Sequence, residues 1–284
     1  MPKRFSHKLY GIIGNPVEHS LSPYMHNAAF AKLKIDAAYL PFLVQKQKLK
    51  SAIAALKRMD ISGFNVTLPF KSECMSYLDR IDTLAKAIGA VNTVINKNGK
   101  LIGYNTDCGG FIKSLREDLG ISPSGCRVFL AGSGGVARSV AFGLARSWAK
   151  QIIVCDIIKP KAMALARDIR QNFPGIDIIF SAQKDAPFFI RDCSLFVNCT
   201  PLGMHDNDPL PLDAGALHSK LKVYDVVYTP LRTRLIKLCQ AKSIQSSSGI
   251  NMLVYQGVLA FELWTGQKAP VSLMKKELLA RLGK

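Results

Sequence analysis

The stretch HSLSPYMHN, residues 19–27, contains two hydroxyl side chains that could bind a ligand, Ser20 and Ser22. Ser22 precedes Pro23, and this pair is typical of a helix N-terminus at which the serine oxygen caps the first turn. Ser20 has no such local role, and it lies near the positive end of the predicted helix, where a carboxylate is stabilised. The stretch therefore predicts a helix start that also binds an anionic group.

A second polar group lies in GFNVTLPFK, residues 63–71. Alternate side chains of an extended segment share a face, so Asn65 and Thr67 are predicted to point the same way. Pro69 interrupts the strand, and Lys71 follows within one short turn. A lysine at such a place is commonly a surface residue with a partly covered stem, and the alternative is an ammonium that acts on a ligand.

Asparagine, threonine and aspartate mark the ends of the next two predicted strands. Asn92-Thr93 begins one strand, Asn98-Gly99 is typical of a tight hairpin, and Asn105-Thr106-Asp107 ends the partner strand. Ligands of α/β proteins bind at strand ends. These residues and Lys71 therefore form a candidate binding site.

The sequence CRVFLAGSGGVARSVAFGLARS, residues 126–147, predicts a strand, a glycine turn and a helix in direct succession. Gly132, Gly134 and Ala137 fill the three small-residue positions of G-x-G-x-x-G/A. The first allows a tight turn, the second lets the backbone approach a pyrophosphate, and the third lets the helix pack on the strand. The helix N-terminus adds unpaired N–H groups, so the pattern predicts a dinucleotide site rather than an ordinary turn.

Asp156 ends the next predicted strand, 24 residues beyond Gly132. A carboxylate at this place can accept the ribose hydroxyls of the adenosine half, whereas a 2′-phosphate would meet a like charge. The alternative is a solvated strand end.

The elements that must position these residues alternate between strand and helix from end to end, which predicts an α/β fold with mainly parallel sheets. In the first half, the predicted strands are residues 8–13, 38–42, 63–67 and 90–95, and residues 47–58 are a predicted helix. The strand-and-helix pattern restarts near Ser122-Pro123-Ser124-Gly125, which indicates a domain boundary within about a dozen residues of that segment.

The chain has 284 residues and a net charge of +18, which raises the possibility of a nucleic-acid partner. The basic residues are spread along the chain without interleaved aromatic residues, so a solvated basic surface is favoured, and no nucleic-acid partner is expected. The same charge attracts small anions.

Membrane, metal and disulfide classes are disfavoured. The seven cysteines are scattered without Cys-x-x-Cys spacing, and no apolar run is long enough to cross a bilayer. The apolar stretch after the basic start is too short for a signal peptide. We therefore expect no metal, no membrane partner, reduced thiols and a cytoplasmic location.

Eight strings in family order resemble the shikimate dehydrogenase family, which includes quinate/shikimate dehydrogenases. The strings are GNPVEHSLSPYMHN, NVTLPFK, GAVNT, GYNTD, GSGG, NCTPLGM, YDVVYTPLRT and GINMLVYQGVLAFELWTG. The resemblance covers nearly the whole chain, and it implies reversible reduction of 3-dehydroshikimate to shikimate, or of 3-dehydroquinate to quinate. It implies a substrate domain of residues 1–106 and 250–284 and a Rossmann dinucleotide domain of residues 107–249.

The resemblance also implies roles for individual residues. Lys71 and Asp107 correspond to the catalytic pair of the family. The implied substrate-binding residues are Ser20, Ser22, Asn65, Thr67, Asn92, Tyr228 and Gln256. The implied cofactor contacts are Gly132, Ser133, Gly134, Gly135, Val136, Ala137, Thr200, Val226 and Gly249, to which the strand-end argument adds Asp156.

The chemistry of these residue types agrees with the implied reaction. Hydride transfer to a ketone leaves alkoxide charge that needs a proton donor, which the Lys71 ammonium can supply. Asp107 would favour the charged lysine and orient substrate hydroxyls, so we expect both groups to meet at one site. In the oxidative direction the lysine must be neutral, so that reaction should improve as pH rises. The substrate is expected to be an anionic polyol acid, because hydroxyls and amides dominate the remaining residues.

Three positions depart from the family pattern. NADP-dependent members tend to carry Asn-Arg-Thr where this chain has Asp156-Ile157-Ile158, so the arginine that would bind a 2′-phosphate is missing. We therefore expect a preference for NAD, with NADP as the alternative through Lys159 or Lys161. Cys108 replaces a common glycine, which a positive φ would not tolerate well. Ser133 replaces a common alanine, and we expect this change to be harmless.

Two other functions are compatible with the same residues. One alternative is a quinate or dual quinate/shikimate dehydrogenase, since NAD favours oxidation in cells. A second is a non-catalytic protein that senses dinucleotides. The expected assembly is a monomer or a homodimer.

Overall fold

The computed structural model describes residues 7–282, which form two compact units. Residues up to Thr106 and from Val254 onward form the first unit, and Asp107–Leu253 form the second. The sequence predicted the same first boundary, between residues 106 and 107. It placed the second boundary between residues 249 and 250, whereas the two units divide between residues 253 and 254. The predicted domain ends at residues 1–6 and 283–284 lie outside the described residues.

Residues 7–106 fold into six strands and three α-helices. The strands are β1 (Lys8–Gly14), β2 (Ala37–Leu43), β3 (Gly63–Val66), β4 (Arg80–Ile81), β5 (Thr93–Lys97) and β6 (Lys100–Tyr104). The helices are α1 (Ser22–Lys32), α2 (Leu49–Arg58) and α3 (Thr83–Ile88). The strands form one sheet in the order β2-β1-β3-β5-β6-β4. Strand β1 pairs in parallel with β2 and β3, whereas β5 is antiparallel to both β3 and β6.

One hydrophobic core packs against the central strands β1, β3 and β5 of this sheet. Ile13, Phe64, Val66 and Val94 are fully or almost fully buried and belong to one core. The predicted Asn98-Gly99 hairpin joins β5 to β6, and both residues have a positive φ, 53° and 78°, as a tight hairpin turn requires. The strand predicted at residues 90–95 begins later, at Thr93, because Asn92 and the residues before it form a connection instead.

Residues 107–253 form the second unit. Its helices are α4 (Asp107–Leu119), α5 (Gly135–Arg146), α6 (Lys159–Asn172), α7 (Ala186–Ile190) and α8 (Arg234–Ala241). Its strands are β7 (Arg127–Ala131), β8 (Gln151–Cys155), β9 (Asp177–Ser181), β10 (Leu195–Asn198), β11 (Lys222–Asp225) and β12 (Ser246–Ser248). All neighbours in this sheet are parallel, in the order β12-β11-β10-β7-β8-β9. Counted from β7, this is the 3-2-1-4-5-6 order of a doubly wound dinucleotide fold.

The described chain ends with α9 (Ile250–Thr265) and α10 (Val271–Leu282). Within the first unit, the Trp264 indole N–H donates to the Val94 carbonyl over 3.0 Å. A Cβ on Gly63 would lie 2.4 Å from the Trp264 indole nitrogen, so the glycine of β3 leaves room for this ring. These contacts attach the last part of the chain to the first sheet. The two sheets and the helices that alternate with their strands confirm the predicted α/β class.

Cys108 occupies an ordinary helical position, the second residue of α4, so the strain expected of a positive φ does not arise. Burial raises the pKa of its thiol to about 11. Among residues 7–282, no helix is long and apolar enough to cross a bilayer. The same part of the chain contains no group of three or more His, Cys, Asp and Glu side chains that could hold a metal ion.

Candidate active site

Asn65 is the centre of a buried hydrogen-bonded cluster in the first unit. Its side-chain N–H group donates to the carbonyl of Asn92 and to the hydroxyl of Thr93, both over 3.0 Å. Its side-chain oxygen accepts from the Tyr39 hydroxyl over 2.7 Å. Strand β3 positions Asn65 between β1 and β5, so its amide is held from two sides.

Asn92 extends this cluster toward the end of β6 and toward α9. Its side-chain oxygen accepts from the Thr106 backbone N–H over 2.7 Å, and its nitrogen donates to the Thr106 hydroxyl over 2.9 Å. The same nitrogen lies 3.4 Å from Oε1 of Gln256 on α9. We call Asn65, Asn92, Thr93, Thr106 and Gln256 the amide network. It consists of neutral donors and acceptors, which suit the hydroxyl groups of a polyol.

Ser22 lies near Tyr39 of this network: burial raises the pKa of the Tyr39 hydroxyl, and the Ser22 side chain partly offsets that rise. The predicted capping role of Ser22 is wrong. Leu21 is the N-cap of α1, no side-chain cap bond is present, and Ser22 is already the first helical residue. Ser20 has a local role that the sequence did not indicate, since its hydroxyl oxygen accepts from the Ser22 N–H over 3.3 Å.

Lys71 lies in the turn region that follows β3, and it is only 9% exposed. The Phe70 N–H donates to the Thr67 carbonyl over 2.9 Å, which closes the turn around Pro69. The Lys71 carbonyl accepts from the Val91 N–H over 2.7 Å and so ties this turn to the segment before β5. A buried lysine is uncommon, so its burial argues against the alternative of a surface lysine at this position.

Asp107 is the first residue of α4 in the second unit and is 5% exposed. The positive end of a helix stabilises a carboxylate at this position. Asp107 follows Thr106 of the amide network directly in the chain. The predicted meeting of the Lys71 and Asp107 side chains stays a prediction.

The glycine turn of the second unit has the backbone that its sequence predicts. Gly132 has φ +103°, and a Cβ there would lie 2.9 Å from the Cys199 carbonyl oxygen. Gly134 is the N-cap of α5, where no side-chain cap bond is present, and a Cβ on Gly134 would meet no atom within 4 Å. The N-terminus of α5 is therefore uncapped by side chains and has open space beside it. Gly135, Val136 and Ala137 form its first turn.

Asp156 follows β8 and is connected to the glycine turn. Its Oδ2 accepts from the Ser133 hydroxyl over 2.6 Å, and its Oδ1 accepts from the Ile158 N–H over 2.8 Å. The serine in place of a common alanine at position 133 therefore has a structural consequence. It adds a charge-assisted hydrogen bond to the predicted ribose-binding carboxylate.

The remaining predicted cofactor contacts are held by two polar residues that the sequence reasoning missed, Asn198 and Asp225. The Asn198 side-chain oxygen accepts from the Thr200 hydroxyl and N–H over 2.6 and 3.0 Å, and its nitrogen donates to Asp225 over 2.9 Å. The carbonyl of Asn198 accepts from the Val226 N–H over 3.0 Å. Burial raises the pKa of the Asp225 carboxyl, against the opposing effect of hydrogen bonds from Thr233 and its other donors.

Gly249 and Tyr228 belong to the same end of the second unit. A Cβ on Gly249 would lie 2.1 Å from the Val226 carbonyl oxygen, so this position admits only glycine without movement of the backbone. Burial raises the pKa of the Tyr228 hydroxyl. Thr200, Val226 and Gly249 are therefore positioned by one set of backbone and side-chain contacts.

The structure thus brings the predicted residues into two clusters. Asn65, Asn92 and Gln256 join one network in the first unit, with Ser22 near it. The glycine turn and Thr200, Val226 and Gly249 lie at strand ends in the second unit. The described hydrogen bonds leave Ser20 and Thr67 outside the amide network. Tyr39 was missed because its strand reads as apolar, whereas Asn198 and Asp225 carried a signal, a polar residue that ends an apolar strand.

Two family models match the chain. The shikimate dehydrogenase substrate binding domain matches residues 12–94, and the shikimate 5'-dehydrogenase C-terminal domain matches residues 249–279. The shikimate dehydrogenase (NADP(+)) of Alkaliphilus metalliredigens is 40% identical over 278 residues, covering 96% of this chain and 97% of its own. The chain belongs to the shikimate dehydrogenase family. It is accordingly an oxidoreductase that acts on a CH–OH group, which confirms the predicted enzyme class.

Solved structures of the family share the fold. A shikimate dehydrogenase in complex with NADP+ has a TM-score of 0.91 and 38% identity, and the match covers 98% of this chain and 96% of that one. A shikimate 5-dehydrogenase from Listeria monocytogenes in complex with shikimate and NAD has a TM-score of 0.88 and 34% identity over 95% of both chains. Family members thus occur with either dinucleotide.

Proposed function

We propose that the protein catalyses the reversible nicotinamide-dependent reduction of 3-dehydroshikimate to shikimate. The amide network is the observation that carries the proposal. It joins Asn65, Asn92 and Gln256, which are far apart in sequence, into one buried set of neutral donors and acceptors. A site built to bond hydroxyl groups rejects compounds that lack them, because its own buried polar groups would be left unpaired. Relatives named as shikimate dehydrogenases support this choice of substrate.

Lys71 acts in this proposal as the proton donor to the alkoxide that forms when the ketone is reduced. Asp107 favours the ammonium form of Lys71 and orients the neighbouring substrate hydroxyl. In the reverse direction the neutral amine of Lys71 accepts the proton of the reacting hydroxyl. Ser20, Ser22, Thr67 and Tyr228 complete the substrate contacts, with the two serines near the N-terminus of α1 as donors to the substrate carboxylate.

The second unit binds the dinucleotide in this proposal. The uncapped N-terminus of α5 and the open space at Gly134 fit a pyrophosphate, while Thr200, Val226 and Gly249 are further cofactor contacts. When bound, the nicotinamide supplies or accepts the hydride. The protein holds the dinucleotide and the substrate in position, and Lys71 supplies the proton.

NAD rather than NADP is the finer part of the proposal. Asp156 places a carboxylate at the predicted ribose subsite, and Ile157 and Ile158 stand where an arginine would be needed to bind a 2′-phosphate. The curated relatives at about 40% identity bear NADP(+) in their names, so NADP is the alternative. Lys159 is the nearest following cation in the chain, and its ammonium lies over the Phe180 ring, 5.7 Å from the centroid.

A matrix of shikimate and quinate against NAD and NADP tests both parts. We expect the largest kcat/KM for the pair of shikimate and NAD. A larger value with quinate would replace the substrate by the second candidate, quinate, which a preference for NAD also favours because cellular NAD promotes oxidation. A larger value with NADP would contradict the cofactor preference alone. Absence of turnover with all four pairs, together with saturable NAD binding, would indicate the non-catalytic sensor.

A further inference from the structure

We propose that Ser133 is a positioning residue for cofactor discrimination, and that it acts by holding the Asp156 carboxylate in one orientation. The inference rests on the proposed role of Asp156 at the ribose subsite. Ser133 is the residue between the two turn glycines, and it is almost completely buried. Its hydroxyl donates to Asp156 Oδ2 over 2.6 Å. That distance is typical of a hydroxyl bonded to an ionised carboxylate.

The two oxygens of Asp156 are held from different parts of the chain. Oδ1 accepts from the backbone N–H of Ile158, two residues later. This bond between an Asp side chain and the nearby backbone is typical of an Asx turn. Oδ2 is held by the glycine turn through Ser133. Rotation of the carboxylate about its last bond would break at least one of these bonds. The carboxylate is therefore fixed relative to the N-terminus of α5.

The fixed orientation of the Asp156 carboxylate matters because a mobile carboxylate distinguishes poorly between NAD and NADP. A free aspartate could turn away from a 2′-phosphate and bond to other donors, which would lower the electrostatic repulsion. Within the described residues, no lysine or arginine forms an ion pair with Asp156, so its charge is not neutralised locally. Each carboxylate oxygen still has a free lone pair for a ribose hydroxyl. Ser133 thus keeps the carboxylate available to NAD and repulsive to NADP.

A double-mutant cycle tests the inference. The ratio of kcat/KM for NAD to that for NADP is measured with shikimate for the wild type, Ser133→Ala, Asp156→Ala and the double variant. We expect Ser133→Ala to lower the ratio by about tenfold, and to leave it unchanged in the Asp156→Ala background. Ser133→Thr, which keeps a hydroxyl, should retain more of the ratio than Ser133→Ala. Competition by ADP and by 2′,5′-ADP gives the same ratio for binding alone.

The two proposals fail in different ways. A wild-type ratio below one contradicts the preference for NAD, while coupling between Ser133 and Asp156 in the cycle would still support the positioning role. An equal effect of Ser133→Ala with and without Asp156 would overturn the positioning role, whichever cofactor the wild type prefers. So would loss of turnover with both cofactors in equal proportion, because a general defect of the glycine turn does not distinguish a 2′-hydroxyl from a 2′-phosphate.

Discussion

The side-chain nitrogen of Asn92 lies 3.4 Å from Oε1 of Gln256, although 164 positions separate the two residues. Asn92 also bonds to the backbone and the hydroxyl of Thr106 at shorter distances. The long contact with α9 is therefore the weaker part of the Asn92 environment. We therefore expect Asn92 to hold the site together, and we predict that Gln256 contacts the substrate.

Replacement of Gln256 by leucine should impair substrate binding more than folding. Leucine keeps the apolar volume on α9, while the donor and acceptor for a substrate hydroxyl are lost. We expect the KM for shikimate to rise by about tenfold and the free energy of unfolding to change by less than about 1 kcal/mol. Steady-state kinetics and urea unfolding measure the two quantities.

Asn92→Ala is the matched comparison for Gln256→Leu. It leaves the buried N–H of Thr106 without its acceptor, so we expect a loss of about 2 kcal/mol in unfolding free energy. Equal destabilisation by both variants would show that Gln256 is a structural member of the network.

Loss of the Lys71 ammonium should remove turnover and preserve binding. Lys71→Met keeps the apolar stem, and the missing proton donor is expected to lower kcat by about 10²-fold or more. Lys86→Met removes an exposed lysine of α3 and should change kcat little. Shikimate binding measured by calorimetry should persist in the Lys71 variant. Near-normal turnover would exclude Lys71 as the proton donor.

Replacement of Gly132 and of Gly134 by alanine should affect different properties, the first stability and the second cofactor binding. Ala at position 132 requires φ near +103° and places Cβ 2.9 Å from the Cys199 carbonyl oxygen, so we expect a loss of about 2 kcal/mol or more in stability. Ala at position 134 meets no protein atom within 4 Å, so stability should change little. Its methyl group would project into space predicted for the pyrophosphate, and the KM for NAD should rise. An unchanged KM in Gly134→Ala would place the pyrophosphate elsewhere.

The sequence predicts best those features that a short segment determines by itself. Gly132 needs its positive φ because a strand must turn at once into a helix, and the Asn98-Gly99 hairpin follows from the same kind of local requirement. The parallel pairing in the second sheet follows from the direct alternation of neighbouring strands and helices. In each case the physical cause lies within a few residues of the pattern.

The features that the sequence did not predict depend on contacts between distant segments. Asn198 and Asp225 end two parallel strands, and their hydrogen bond appears only when β10 and β11 lie side by side. The Tyr39 hydroxyl reaches Asn65 across two strand pairings, which its apolar strand gave no reason to expect. The prediction that Ser22 caps α1 is wrong for a local reason: the helix begins one residue earlier than the serine-proline pattern predicts.

His26 should make the stability of the protein sensitive to mild acid. The residue is completely buried, and neither ring nitrogen has a hydrogen-bond partner among the described residues. The ring stacks on Tyr39 with centroids 4.5 Å apart. Burial lowers the pKa of His26 to about 3. Its burial among aromatic rings supports a structural role for His26.

The sign of the effect follows from proton binding. Between pH of about 6.5 and 3 the unfolded chain binds a proton at this histidine and the folded chain does not, so the free energy of unfolding falls as the pH is lowered. The contribution of one such group approaches about 1.4 kcal/mol per pH unit. His26→Phe keeps the ring stack and removes the titration, so the variant should gain stability relative to the wild type by about 1.6 kcal/mol between pH 6.5 and 5. His205→Gln, at an exposed histidine, should show no such gain. Urea unfolding at both pH values measures the differences, and parallel pH profiles for the wild type and His26→Phe would show that His26 is protonated in the folded protein.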